Sequence, residues 1–123
     1  MAKRTMSESL FSMTLIRHEH RAMYAAIGGD FDIAAVPDFE ATLREGIDAG
    51  ARQIAIDLNG ATSVDSTALT SLLRLHRLLK DQAGAFYVVC VNPRIVNLFA
   101  ITGLVRVLSV VAVNPLENTP LAS

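Results

Sequence analysis

Between residues 54 and 79 the spacing of apolar residues changes from a period of two to a period near four. Ile54, Ile56 and Leu58 alternate with Ala55 and Asp57, which predicts a strand with one packed face. A polar stretch, Asn59-Gly-Ala-Thr-Ser63, reads as a loop, and Asp65-Ser66-Thr67 offers the small acceptor side chains that a helix start requires. Ala68, Leu69, Leu72, Leu73, Leu75 and Leu79 then fall on one broad helical face. A hydroxyl is thereby placed at the mouth of a helix and at the carboxyl end of a strand. Open α/β sheets usually carry recognition or chemistry there.

The rest of the chain is read in the same way. Ser12 to Ile16 and Met23 to Ile27 predict two short strands, with Arg17-His-Glu-His-Arg21 as a solvated hairpin turn between them. Gly28-Gly29 is expected to break the second strand, and Asp30-Phe31-Asp32 to form the next loop. Pro37 suits a first helical turn, Asp38 and Glu40 favour its N-terminal charge, and Phe39, Leu43 and Ile47 recur every four residues until Gly50 stops the helix. Asp81 to Gly84 turns the chain, and Ala85 to Val91 is apolar and β-branched enough for a buried strand. Asn92-Pro93 caps and opens a helix that ends near Gly103, and Val105 to Val113 is expected as the last strand. Residues 1–11 and 114–123 are expected as flexible tails around a domain spanning 12–113.

Strands separated by helices in this order require parallel pairing, with an antiparallel hairpin at the start. The expected fold is α/β, a mixed sheet of about five strands with helices packed mainly on one face. Composition narrows this only a little. The chain has 123 residues, enough for one domain with a real core, and 51% are apolar, which excludes disorder over most of the length. The net charge is −1 and the 11 basic residues form no stripe that would neutralise phosphates, so no nucleic-acid partner is expected. The basic start is followed by too short an apolar run for a secretory core, and none approaches the ~20 residues that span a bilayer. A cytoplasmic location without membrane insertion is expected. Cys90, the single cysteine, reads as a buried structural thiol.

Candidate chemistry is sparse. His18 and His20 share a strand face but lack a third ligand in reach, so an exposed charged turn is the better reading and no metal is expected. His76 falls on the apolar stripe as a core-edge histidine with one hydrogen bond, and Arg74, Arg77 and Leu78 lie off it on a solvated face. No nucleophile elbow, phosphate-binding glycine loop or Cys-x-x-Cys pair points to an enzyme. From pattern alone Ser66 reads as a helix cap, Thr67 as a first-turn filler, and Asp65 as a capping carboxylate or a group that orients Ser66.

The stretch Val64-Asp65-Ser66-Thr67-Ala68-Leu69 resembles the signature of the STAS domain of anti-sigma-factor antagonists. Gly29-Asp30-Phe31-Asp32 is similar to that family's Gly-Glu-Leu-Asp loop, Val89 to Val96 to its strand-to-helix turn, and Leu98 to Leu104 to the segment before its last strand. The match runs from about Ser12 to Val113, with Ala68 standing where the family usually carries Gly. The resemblance implies that Ser66, or failing it Thr67, accepts phosphate from a partner kinase. It also implies that Asp65, Thr67, Ala68, Gly29, Asp30 and Asp32 form the motif and the partner surface. The implied partners are an anti-sigma-factor serine kinase, which would itself hold ATP and Mg²⁺, and a serine phosphatase; the chain needs no cofactor and acts as a monomer or weak homodimer. Two other readings stay open: a structural STAS subunit of a lipid-transport ATPase or scaffold that carries no phosphate, and direct nucleotide binding.

Overall fold

The computed structural model describes residues 4–8, 11–19 and 21–116, with the side chains of 4–8 and 17–19 left aside. Six strands form one sheet in the order in which they occur in the chain: β1 (Arg4–Glu8), β2 (Phe11–Glu19), β3 (Ala22–Phe31), β4 (Gln53–Val64), β5 (Ala85–Val89) and β6 (Ser109–Val111). β1, β2 and β3 pair antiparallel, and β3 to β6 pair parallel. The parallel crossovers contain α1 (Val36–Asp48), α2 (Ser66–Asp81) and α3 (Pro93–Ile101). Crossovers between parallel strands are right-handed, and each step here moves the same way across the sheet. All three helices must therefore lie on one face.

The core follows from that arrangement. Ile54, Ile56 and Leu58 of β4 point toward the helices and are fully buried with Phe39 and Leu43 of α1, Leu72 and Leu75 of α2, and Phe99 of α3. The intervening Ala55 points to the opposite face, where Val89 and Leu116 are its buried neighbours beside the partly exposed Tyr24, Tyr87 and Val111. On that face the Tyr24 hydroxyl donates to Asp57 Oδ2 at 2.9 Å.

Several expectations are corrected. Arg4–Glu8, expected as part of a tail, is a strand in register with β2, and with it the mixed sheet, expected with about five strands, has six. β2 runs on to Glu19, so the hairpin turn is shorter than Arg17–Arg21; His20 and the side chain of His18 lie outside the described residues. Gly28-Gly29 does not break β3. Irregularities beside Gly28 and between Gly29 and Asp30 absorb the mismatch, Gly29 takes a φ of 76°, and the strand continues to Phe31. Asn59–Ser63 is not a loop but the second half of β4, paired with β3 through Gly28↔Gly60, Gly29↔Ala61 and Asp30↔Ser63. A Cβ on Gly60 would lie 2.9 Å from the Ile27 carbonyl oxygen, so the polar-looking glycine permits a close approach of two strands. The start of the expected strand Val105–Val113 lies in a 3-10 turn, Leu104–Arg106, and only Ser109–Val111 pairs. Asn114 and Leu116, placed in the C-terminal tail, are buried, with the Leu116 N–H donating to Asn114 Oδ1. Residues 117–123 lie outside the described residues.

Candidate functional site

β3 and β4 outrun β5, whose ladder with β4 stops at Asp57↔Val89. The amide N–H of Val91 then donates to the Asn59 side chain, closing the end of that ladder. Beyond it, among the described strands, only β3 pairs with the last residues of β4, and Thr62 and Ser63 are exposed. Both hydroxyls donate to Asp30 Oδ1 at 2.9 Å, fixing the carboxylate of one strand against the next. The two strands thus carry the β3–α1 turn and the start of α2 to the same place.

Asp65 joins those two pieces. As the N-cap of α2, its Oδ1 accepts the N–H of Ala68 at 2.9 Å, and its Oδ2 accepts the N–H of Ile33 at 3.0 Å. Its own N–H donates to the Phe31 carbonyl. Each carboxylate oxygen therefore accepts a backbone N–H, and Asp65 is the N-cap of α2. Asp32 holds the turn before α1, whose N-cap, Ala35, has no side-chain cap: its Oδ1 accepts from Ala34 and Ala35, and its carbonyl accepts from Ala35 and Val36.

Ser66 is consequently not the cap. It is the first residue of α2, it is exposed, and among the described residues its hydroxyl has no hydrogen-bond partner. Thr67 follows, half-buried. Ala68 is wholly buried in regular helix, so its methyl group fills core space and the position requires no left-handed backbone. Gly29 and Asp30 lie on β3 opposite Ala61 and Ser63, and Asp32 lies in the turn next to them. The seven residues singled out in the sequence are therefore brought to one end of the sheet. Ile33, in the turn that Asp65 holds, is exposed.

Further along α2 the geometry is structural. Glu40 of α1 accepts from the buried Ser71 hydroxyl and from Arg74, so Arg74 lies exposed on the solvated face, as expected, and also links α2 to α1. His76 is half-buried, and its Nδ1 is enclosed without the expected hydrogen bond. Burial, then the charges of Lys80 and Arg77, push its pKa below 6.5. Burial likewise raises the pKa of the Cys90 thiol, outweighing the nearby Asn92 carbonyl. Among the described residues no group of three or more His, Cys, Asp or Glu could hold a metal, and no helix is long and apolar enough to cross a membrane.

Comparison with known proteins agrees with this architecture. The model of the STAS domain matches residues 14–119. The anti-sigma-B factor antagonist of Staphylococcus aureus (strain NCTC 8325 / PS 47) is 33% identical over 78 residues, which are 63% of this chain and 72% of that protein. Among solved structures, the anti-sigma factor antagonist SpoIIAA in its unphosphorylated form is similar with a TM-score of 0.69 at 19% identity, covering 87% of this chain and 90% of that one. The phosphorylated form of the Bacillus cell fate determinant SpoIIAA is similar with a TM-score of 0.64 at 18% identity, covering 87% and 94%. The structural likenesses speak to the fold, and the sequence matches to descent: the chain belongs to the STAS-domain family.

Proposed function

We propose that the chain is an anti-sigma-factor antagonist acting in the cytoplasm as a protein–protein switch. Unphosphorylated, it binds an anti-sigma kinase and so frees a sigma factor; phosphorylation at Ser66 releases it, and a serine phosphatase resets it. The observation that carries this reading is the exposed, unpartnered hydroxyl of Ser66, one residue past a cap that Asp65 supplies alone. The name of the Staphylococcus relative supports the class of partner.

The physical logic is local. In the transfer, the Ser66 oxygen forms a bond to the γ-phosphorus of ATP held by the kinase, the bond to ADP breaks, and the hydroxyl proton passes to a group on the kinase. The product adds about −1.5 to −2 charges at the first turn of α2. A helix N-terminus tolerates an anion, and none of the bonds that Asp65 makes passes through Ser66, so the fold stays intact. Asp30, Asp32 and Asp65 already make this end of the sheet acidic. The added charge turns it strongly so and repels a partner that docks through apolar or acidic groups.

Titration calorimetry of the anti-sigma kinase with the native chain, Ser66→Ala and Ser66→Asp tests this. Ser66→Ala is expected to bind like the native chain. Ser66→Asp is expected to keep its circular dichroism and lose at least about 10-fold in affinity, since like-charge juxtaposition costs over 1 kcal/mol. Equal affinity of Ser66→Asp and the native chain would remove the switch and leave a STAS subunit that carries no phosphate.

A further inference from the structure

Resting on that reading, we infer that Asp30 decides which hydroxyl takes the phosphate: it holds the hydroxyls of Thr62 and Ser63 and so confines transfer to Ser66. Thr62, Ser63, Ser66 and Thr70 are all exposed, so a kinase that reaches Ser66 meets other hydroxyls close by in the chain. They are not equivalent. Thr70 donates to the Ser66 carbonyl, as a hydroxyl inside a helix commonly does. Thr62 and Ser63 both donate to Asp30 Oδ1 at 2.9 Å. Of these, Ser66 alone donates to nothing among the described residues.

The strand geometry lets one carboxylate hold two consecutive residues. Successive side chains of a regular strand point to opposite faces, so neighbours do not reach the same group. Here Gly29 pairs with Ala61 and Asp30 with Ser63, which leaves Thr62 as the extra residue of a bulge. Gly29, with its φ of 76°, supplies the left-handed backbone beside it. The bulge brings Thr62 to the side of Ser63, and both hydroxyls meet Asp30.

Transfer to Thr62 or Ser63 is opposed both before and after the new bond forms. The attacking oxygen would bond to the γ-phosphorus of ATP, the bond to ADP would break, and the hydroxyl proton would pass to a group on the kinase. That proton is already committed to Asp30 in a charge-assisted bond, which has to break first. The ester oxygen of the product can no longer donate, and its dianion stands against the Asp30 carboxylate. At Ser66 no bond has to break, and the first turn of α2 offers the positive end of its dipole to the added charge.

The test is phosphosite mapping by mass spectrometry of the full chain produced in its native cells, across growth and stress. Native, Asp30→Ala, Ser66→Ala and the double variant Asp30→Ala/Ser66→Ala are compared, with a circular dichroism spectrum of each. Asp30 is half-buried and both hydroxyls are exposed, so the variants are expected to keep the native spectrum. In the native chain, Thr62 and Ser63 are expected to carry about a tenth of the phosphate on Ser66 or less, as the loss of a charge-assisted bond predicts. Asp30→Ala is expected to keep phosphate on Ser66 within about threefold and to gain it on Thr62 or Ser63. The double variant is expected to carry at least about tenfold more phosphate on those two residues than Ser66→Ala does. Phosphate on Thr62 or Ser63 of Ser66→Ala, at the level of native Ser66, overturns the role of Asp30. So does a folded double variant with no phosphate, and so does loss of the Ser66 phosphate in Asp30→Ala, which makes Asp30 a contact of the kinase. In each of these cases phosphate on native Ser66 leaves the switch standing. If the native chain carries phosphate nowhere under any condition, the switch and the role of Asp30 both fall.

Discussion

Two helices of this molecule begin with the same device and differ in what the device reaches. α3 opens with Asn92-Pro93, and the Asn92 side chain accepts the N–H of Arg94 two residues on. α2 opens with Asp65-Ser66, and Asp65 accepts the N–H of Ala68 in the same manner. An amide side chain has one acceptor oxygen, whereas a carboxylate has two. Asp65 uses the second on Ile33, so its cap is also a tie between the β3–α1 turn and α2. The first helical residue differs too. Pro93 has neither hydroxyl nor N–H, whereas Ser66 carries a free hydroxyl. A helix mouth becomes a candidate site here because a second element is fastened to it, and not because it is a helix mouth.

The largest effect expected from breaking this contrast, after the loss of partner in Ser66→Asp, is on stability. Asp65→Ala removes the cap and the tie together and should cost about 2–3 kcal/mol in urea unfolding. Asn92→Ala should cost only about 1 kcal/mol, as a local cap does. Equal losses would show that the bond to Ile33 contributes nothing. Ala68→Gly, which restores the residue usual in the family, should lower stability by about 1–2 kcal/mol through helix propensity and the lost buried methyl, while Ser66 remains a substrate for the kinase. A gain in stability would mean that the backbone there is strained. The smallest effect is a pH dependence from His76. Its folded pKa lies below the unfolded 6.5, so the unfolded chain binds the proton more readily and stability falls as pH drops below 6.5. His76→Gln should flatten that part of the profile, and an unchanged slope would assign it elsewhere.

The helices and the buried strands were legible because periodicity reports burial directly. Phe39, Leu43 and Ile47 of α1, and Leu69, Leu72, Leu75 and Leu79 of α2, are all in the core as their spacing predicts. The site was legible in part. Gly29, Asp30, Asp32, Asp65, Ser66, Thr67 and Ala68 lie at one end of the sheet, as the resemblance to the STAS domain implied. The misread elements share one cause. Asn59–Ser63 looked like a loop because its side chains are polar, yet β3 supplies its ladder, and the hydroxyls that made it look soluble bond Asp30 across the strands. Arg4–Glu8 has no apolar alternation, and it is a strand because β2 pairs with it. Edge and overhanging strand segments bury too little on either face for their sequence to betray them.

The sequence alone determined the α/β order, the extent of the main helices and which face of β4 is packed, because each depends on local spacing and on the sign of hydrophobicity. Capping roles, strand overhang and the meeting of Ile33 with Asp65 depended on which backbone amides lie within hydrogen-bond reach of which oxygens. Ile33 and Asp65 are 32 residues apart in the chain and 3.0 Å apart in space. No local rule connects them, and only the parallel register of β3 and β4, with Phe31 beside Val64, brings the two turns together.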